Sequence, residues 1–85
     1  APESAPILDT AGWAELRLGD RQRGLTLIRR AASLEPADRD IQYHLAVALV
    51  ENGQPAEGKR ILAALVQSDA DFASRAAAEQ LLRTM

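Results

Sequence analysis

The chain has 85 residues, enough for one compact domain, and it contains no cysteine, which excludes disulfides and thiolate metal sites. Ten basic and twelve acidic residues give a formal net charge of −2, which argues against a non-specific nucleic-acid binder because such proteins need a basic face. No apolar run approaches the ~20 residues that span a bilayer, so direct membrane insertion is not expected. The first four residues, APES, are neither an initiator methionine nor a secretory signal, which predicts a fragment or a processed product of a longer protein.

Apolar residues recur at helical spacing from the start of the chain, and they predict helices rather than strands. The first predicted helix carries one broad apolar face made of Ile7, Leu8, Ala11, Ala14 and Leu18. Gly19 ends this helix, and Asp20 is suited to the N-cap of the next one. The second helix has an apolar stripe made of Leu25, Ile28, Ala31, Ala32 and Leu34. Pro36 ends it, because proline disfavours helical geometry in the preceding residue.

The second half of the chain predicts three more helices. Asp38 and Asp40 open the third helix, where carboxylates oppose the positive end of the helix dipole, and Asn52-Gly53 ends it. Its apolar face consists of Ile41, Leu45, Ala46, Ala48 and Leu49. Pro55 suits the first turn of the fourth helix, whose core face consists of Ile61, Leu62, Leu65 and Val66.

A polar turn at residues 68–71 precedes the fifth predicted helix, which Asp69 or Asp71 is expected to cap. The apolar side of this helix consists of Ala77, Ala78, Leu81, Leu82 and Met85. Its other side, with Arg75, Glu79 and Arg83 at four-residue spacing, is expected to face solvent. Five helices of about 12–14 residues with short connections predict an all-α antiparallel stack.

An internal repeat appears when the chain is shifted by 34 residues. Gly12 then falls on Ala46, Gly24 falls on Gly58, and Ile28 falls on Leu62. Small residues at matching positions predict close helix crossings. A helix–turn–helix period of 34 residues is the signature of tetratricopeptide repeats.

The repeat resembles the tetratricopeptide family residue by residue. The first repeat, residues 5–38, matches its pattern at Leu8, Gly12, Gly19, Gly24, Ile28, Ala31 and Pro36. The second repeat, residues 39–70, matches at Leu45, Ala46, Leu49, Gly53, Gly58 and Leu62, and departs from the pattern at Gln42, Leu65 and Ala70. The last helix, within residues 71–85, matches the repeat pattern only when the alignment is shifted by two residues. We therefore interpret it as a capping helix. The resemblance implies an α-solenoid of antiparallel helix pairs that binds other proteins.

A narrower resemblance concerns the strings DTAGW at residues 9–13 and IQYHLAVAL at residues 41–49. They look like C-terminal repeats of large bacterial tetratricopeptide proteins, some of which accompany exosortase and exopolysaccharide export systems. This likeness implies a bacterial envelope setting. The sequence leaves the compartment open between cytoplasm and periplasm.

Catalytic and metal-binding patterns are not found. His44 is the only histidine, and Asp40 one turn earlier offers it a carboxylate partner, but two ligands are fewer than zinc sites use. No nucleophile lies near His44 in sequence, and no phosphate-binding glycine loop is present. We therefore expect no enzymatic activity, no cofactor and no metal.

Five arginines make the first half of the chain locally basic: Arg17, Arg21, Arg23, Arg29 and Arg30. The simpler interpretation is a solvated helical face with Glu15, Asp20 and Glu35 nearby. The alternative is recognition of an acidic partner. Nucleic acid is not expected as a partner, because aromatic residues are not interleaved with these arginines.

In the family that the chain resembles, the first helix of each pair lines the concave face. The resemblance therefore implies a partner-binding surface made of Trp13, Leu16, Arg17, Tyr43, His44, Val47 and Val50, with Asp9 and Glu51 at its edges. A peptide or helix of another protein would dock there. The alternative is that Trp13 and Tyr43 only pack between neighbouring helices.

Two other functions remain open. The chain could be a structural C-terminal cap of a longer array, or a self-association module without its own ligand. It could also belong to a parent protein whose regulatory or catalytic chemistry lies elsewhere. Because no repeat precedes the first helix, Ile7 and Leu8 are expected to be partly exposed and to favour weak homo-oligomers.

Overall fold

The computed structural model describes residues 3–85, which form five α-helices and no strand. The helices are α1 (Ala5–Leu18), α2 (Arg21–Leu34), α3 (Arg39–Glu51), α4 (Pro55–Gln67) and α5 (Arg75–Arg83). Helices α1 and α2 form one antiparallel pair, α3 and α4 form a second, and α5 packs on α4. The all-α architecture with five helices is confirmed. None of the helices within residues 3–85 combines the length and apolarity needed to cross a membrane.

Short-range signals set the helix ends in the first three helices. The side chains of Ser4, Asp20 and Asp38 each accept a hydrogen bond from the backbone N–H three residues later, which is N-capping. Gly19 and Gly53 follow the ends of α1 and α3 with φ of 101° and 78°, a left-handed conformation that costs glycine little. The helix boundaries predicted at Gly19–Asp20 and Asn52–Gly53 therefore hold.

The two helices of the first pair cross where both have glycine. A Cβ added to Gly12 would lie 2.7 Å from Cγ1 of Ile28 and 3.0 Å from the backbone oxygen of Gly24. A Cβ added to Gly24 would lie 2.9 Å from the backbone oxygen of Gly12. Neither position leaves room for a methyl group, which confirms the close crossing expected from the repeat.

The second pair repeats this crossing with one glycine and one alanine. A Cβ on Gly58 would lie 3.0 Å from the backbone oxygen of Ala46, and both residues are buried. The core is continuous along the repeats, with Ile28, Leu49 and Leu62 fully buried. Ala78 of α5 is also fully buried and packs with Ala46 and Leu62, so α5 covers the second pair.

The apolar face predicted for α1 is real, but most of it is exposed. Ile7 is 71% exposed and Leu18 is 82% exposed, and Ala11 and Ala14 between them are exposed as well. The buried side of α1 is instead made of Ala5, Gly12 and Leu16. The partial exposure expected for Ile7 and Leu8 is confirmed: Ile7 is exposed, and Leu8 is half-buried where it packs against the core.

The predictions for the start of α5 were wrong in two respects. The helix has 9 residues instead of 12–14, and its N-cap residue is Ser74 instead of Asp69 or Asp71. Ser74 is held by a contact from another repeat: its hydroxyl and its backbone N–H both donate to Asp40, at 2.6 and 2.9 Å. A tertiary contact, rather than a local cap, therefore marks the beginning of α5.

Arg75 does not belong to a solvated face either. Its guanidinium donates to the backbone oxygens of Val66 at 3.3 Å and Ala70 at 2.8 Å, and also to that of Ser68. These carbonyls lie at the end of α4 and just after it, where helix C-termini have unpaired oxygens. One side chain thus ties the α4–α5 connection to the start of α5.

Candidate partner-binding groove

Helices α1, α3 and α5 together line a groove with a volume of about 310 Å³. Its lining is mostly apolar, with one arginine on the α1 side and two polar side chains on the α5 side. The residues are Trp13, Arg17, Tyr43, Val47, Ala77, Gln80, Leu81 and Thr84. An apolar surface with a few polar groups at its edges suits one or two side chains of a partner protein.

A cluster of three rings forms where α1 meets α3. The ring of Trp13 stacks on His44 with centroids 4.2 Å apart and an angle of 29° between the planes. Tyr43 lies at a tilted angle to both, 6.4 Å from Trp13 and 5.8 Å from His44. Such aromatic pairs stabilise by roughly 0.5–1.5 kcal/mol beyond their buried area. The cluster holds Trp13 in one orientation while leaving it half-buried at the groove.

His44 is oriented by a carboxylate from the first repeat. Its Nδ1 lies 2.8 and 2.9 Å from the two carboxylate oxygens of Asp9, and both side chains are mostly buried. The sequence suggested Asp40 as the partner, and this was wrong because Asp40 turns to Ser74 instead. Asp9 and His44 are 35 residues apart, and stacking of the two repeats brings them together. The pair fixes the plane against which Trp13 stacks.

Arg17 also contacts the ring of Trp13. Its Cζ is 4.7 Å from the centroid of the Trp13 ring, which is a cation–π distance. Within residues 3–85, Arg17 forms no ion pair. Its charge is therefore available at the groove edge, and the contact with Trp13 reduces the conformational freedom that Arg17 would lose on binding a carboxylate.

The structure places four of the seven residues from the sequence interpretation in the groove lining: Trp13, Arg17, Tyr43 and Val47. His44 supports Trp13 from the side. Leu16 is only 5% exposed and packs in the core against Gly24, so it cannot contact a partner. Val50 is half-buried at the crossing of α3 and α4, where its Cγ2 would be 3.0 Å from a Cβ on Gly58. Neither residue lines the groove in the structure, because small rotations about a helix axis decide which side chains face it.

Sequence reasoning missed the wall that α5 contributes. Ala77, Gln80, Leu81 and Thr84 line the groove, whereas the sequence interpretation gave this helix only a capping role. A signal was present, because Trp13, Val47 and Leu81 are spaced by the 34-residue period. Extending the unshifted repeat to the last helix would have placed Leu81 beside Val47.

An ionised carboxylate anchors the start of α5, the helix that forms one wall of the groove. The hydrogen bond from the Ser74 hydroxyl lowers the pKa of the Asp40 carboxyl below 3.8. Desolvation opposes this effect and raises the pKa, while backbone N–H groups of Ser74 and Ala73 and the nearby His44 add smaller lowering effects. A carboxylate held ionised by these donors anchors the start of α5. Within residues 3–85, no group of three His, Asp or Glu side chains is placed to hold a metal ion.

Another depression, of about 360 Å³, lies between the α2–α3 connection and α4. It is lined by Pro36, Gln42, Arg60, Ile61, Ala64, Leu65 and Ser68. No aromatic ring lines it, whereas the Trp13 groove has two, and aromatic residues dominate protein-binding surfaces. The Trp13 groove is therefore the better candidate.

Comparison with known protein families agrees with this geometry. The model of a family described as tetratricopeptide repeat matches residues 15–84, which include all of α2–α5 and the end of α1. No curated protein and no solved structure matches the chain. The family commonly mediates protein–protein interaction, and its domains are generally non-catalytic scaffolds. With its paired helices, its 34-residue period and this match over most of its length, the chain belongs to the tetratricopeptide repeat family.

Proposed function

We propose that the groove between α1, α3 and α5 binds a short segment of a partner protein. The observation that carries the proposal is the half-buried Trp13 at the groove, whose ring stacks on His44 and lies at cation–π distance from Arg17. An aromatic residue that is oriented before binding loses little entropy when a partner docks. The chain acts as a binding module in this proposal and performs no catalysis.

The lining indicates the chemistry of the segment. A large apolar side chain fits among Trp13, Tyr43, Val47 and Leu81, and a carboxylate near it can reach Arg17. Among residues 3–85, Arg17 is the only charged residue in the lining. The partner segment is therefore an apolar anchor next to an aspartate or glutamate.

A structural function is the second candidate, and the burial of α5 favours it. Ala78 is fully buried, and Leu81 and Leu82 pack on the cluster of Ala46 and Leu62. In that case α5 serves to cover the second helix pair, and the groove has no ligand. The two candidates differ in whether variants of exposed groove residues change binding.

The test begins with selection of peptides from a random display library on the immobilised chain. Trp13 is the only tryptophan, so titration of a selected peptide can be followed by its fluorescence. Arg17→Glu should weaken binding of acidic selected peptides by about tenfold or more. Lys59→Glu, which makes the same charge change on exposed α4, should leave the affinity unchanged. Failure to select peptides, or equal affinities for Arg17→Glu and the unaltered chain, would contradict the proposal.

The cellular compartment in which such a partner is bound is a separate prediction. If residues 9–13 and 41–49 are repeats of the kind found in large bacterial tetratricopeptide proteins, some of which accompany export systems, the partner would be a protein of the bacterial envelope. Its test is to identify the proteins that flank the corresponding gene and to measure whether their acidic, apolar segments displace a selected peptide from the groove.

A further inference from the structure

The outer side of α1 presents an apolar stripe to solvent. It consists of Ile7, Ala11, Ala14 and Leu18, which are all exposed, and we name it the α1 stripe. Ile7 and Leu18 are the two most exposed large apolar residues among those described, at 71% and 82%. The stripe contains no charged residue. It lies on the side of α1 away from α3, so it is separate from the Trp13 groove.

In the second repeat, the equivalent positions are buried against the preceding helix pair. The residues of α3 that are 34 positions after Ile7, Ala11 and Ala14 are Ile41, Leu45 and Ala48. They are 3%, 7% and 0% exposed and pack with residues of α2 such as Ile28 and Ala32. The positions of the α1 stripe are therefore positions at which this fold packs helix against helix.

The order of residues in the stripe makes it complementary to itself. The four residues are spaced by four, three and four positions, with the large side chains at the two ends of the stripe and the alanines in its middle. When two copies of α1 lie antiparallel, Ile7 of one copy meets Leu18 of the other, and Ala11 meets Ala14. A two-fold axis requires this reciprocal pairing. The central alanines allow the two helices to approach closely, as the glycines do within each pair.

The charges at the two ends of α1 also suit this arrangement. Glu3 precedes the start of α1, and Arg21 follows its end, where it is exposed. In an antiparallel pair, each Glu3 lies near the Arg21 of the other copy. Glu3 also pairs with Arg30 of α2, and both side chains are exposed, so the Glu3 carboxylate is accessible to a second cation. Opposite charges therefore border both ends of an uncharged stripe.

We infer that a second copy of this chain covers the α1 stripe, giving a two-fold dimer with antiparallel α1 helices. The interface is small. One helix of 14 residues with its neighbours offers less than the ~800 Å² per partner of stable complexes. Monomer and dimer therefore exchange, and the dimer population increases with concentration.

Sedimentation velocity over a range of concentrations of the 85-residue chain tests this inference. The unaltered chain should shift from monomer toward dimer as concentration rises. Leu18→Glu should weaken the dimer by about tenfold or more, because the two-fold axis puts the change in the interface twice and buries each charge against Ile7. Met85→Glu, which changes another exposed apolar residue that is not part of the α1 stripe, should dimerise like the unaltered chain. A strict monomer at every concentration, or unchanged dimerisation of Leu18→Glu, would overturn the inference.

Cysteine cross-linking tests the antiparallel geometry, since the chain has no cysteine of its own. The variants Ala11→Cys and Ala14→Cys are mixed and oxidised. Residues 11 and 14 of opposite copies lie at the same height, whereas two copies of residue 11 are offset by about 4.5 Å along the helix. The mixed disulfide should therefore form faster than either homodimer, because disulfides need Cα atoms within about 7 Å. Equal rates of all three products would overturn the proposed geometry.

Discussion

The Asp40 carboxylate at the start of α3 accepts two hydrogen bonds from Ser74, which lies one repeat later at the start of α5. The Ser74 hydroxyl is 2.6 Å from Oδ1 of Asp40, and the Ser74 backbone nitrogen is 2.9 Å from it. This contact sets where α5 begins, and α5 forms one wall of the Trp13 groove. Side chains outside the groove therefore control its shape.

Asp40→Asn should reduce stability at neutral pH, because hydrogen bonds to an ionised carboxylate are stronger than those to an amide. The folded-state pKa of Asp40 is lowered, so its contribution is present above the unfolded pKa and is lost as the pH falls through the folded pKa. Because part of Asp40 meets water, we expect a loss of about 1 kcal/mol at pH 7. Urea unfolding should show this difference at pH 7, and the difference should shrink as the pH is lowered through the acid range. A difference that does not change with pH would contradict the role of the charge.

Gly12→Leu should strongly destabilise the fold. Even a Cβ at this position would lie 2.7 Å from Ile28 Cγ1 and 3.0 Å from the backbone of Gly24, so the helices must separate. Overpacking of this kind costs about 1–3 kcal/mol or more, although leucine favours helix more than glycine does. A thermal melt should show a clearly lower midpoint for Gly12→Leu than for the unaltered chain. Ala56→Leu, at an exposed position on α4, should leave the midpoint nearly unchanged. Equal midpoints would contradict the close crossing.

Arg75→Ala should loosen α5 without unfolding the rest of the chain. The change leaves the carbonyls of Val66, Ser68 and Ala70 without their guanidinium partner, at a cost of about 1–3 kcal/mol. Hydrogen exchange should become faster in α5 and stay nearly unchanged in α1 and α2. Arg83→Ala serves as the control, since Arg83 is exposed and its side-chain hydrogen bond goes to Gln80 of its own helix. Faster exchange throughout the chain would show that Arg75 supports the whole fold rather than α5.

Ala78→Arg tests whether α5 covers the second pair. Ala78 is fully buried against Ala46 and Leu62, so a long charged side chain there would displace α5. Ala76→Arg places the same side chain on the exposed side of the same helix. We expect a loss of about 2 kcal/mol or more for Ala78→Arg and less than about 0.5 kcal/mol for Ala76→Arg. If the two variants have equal stability by urea unfolding, α5 does not pack as a cover.

The sequence alone determined the features that depend on neighbours a few residues apart. Asp20 and Asp38 cap helices through the N–H groups three residues later, and Gly19 and Gly53 end helices through their own backbone freedom. The 34-residue period, with small residues at Gly12, Gly24 and Gly58, also determined the helix pairs. Each of these signals acts within one helix turn or repeats at a fixed spacing, so it can be read without coordinates.

Only the tertiary structure decided which side of each helix faces the groove, the core or solvent. Successive residues are about 100° apart around a helix axis, so a small difference in how α1 is rotated decides which of its residues are buried. In the structure Leu16 is buried, and Ile7 and Leu18 are exposed. The partner of His44 proved to be Asp9, 35 residues away, and the start of α5 was set by Asp40, 34 residues away. These contacts depend on how two repeats stack, and stacking is determined by the packing of whole helix surfaces.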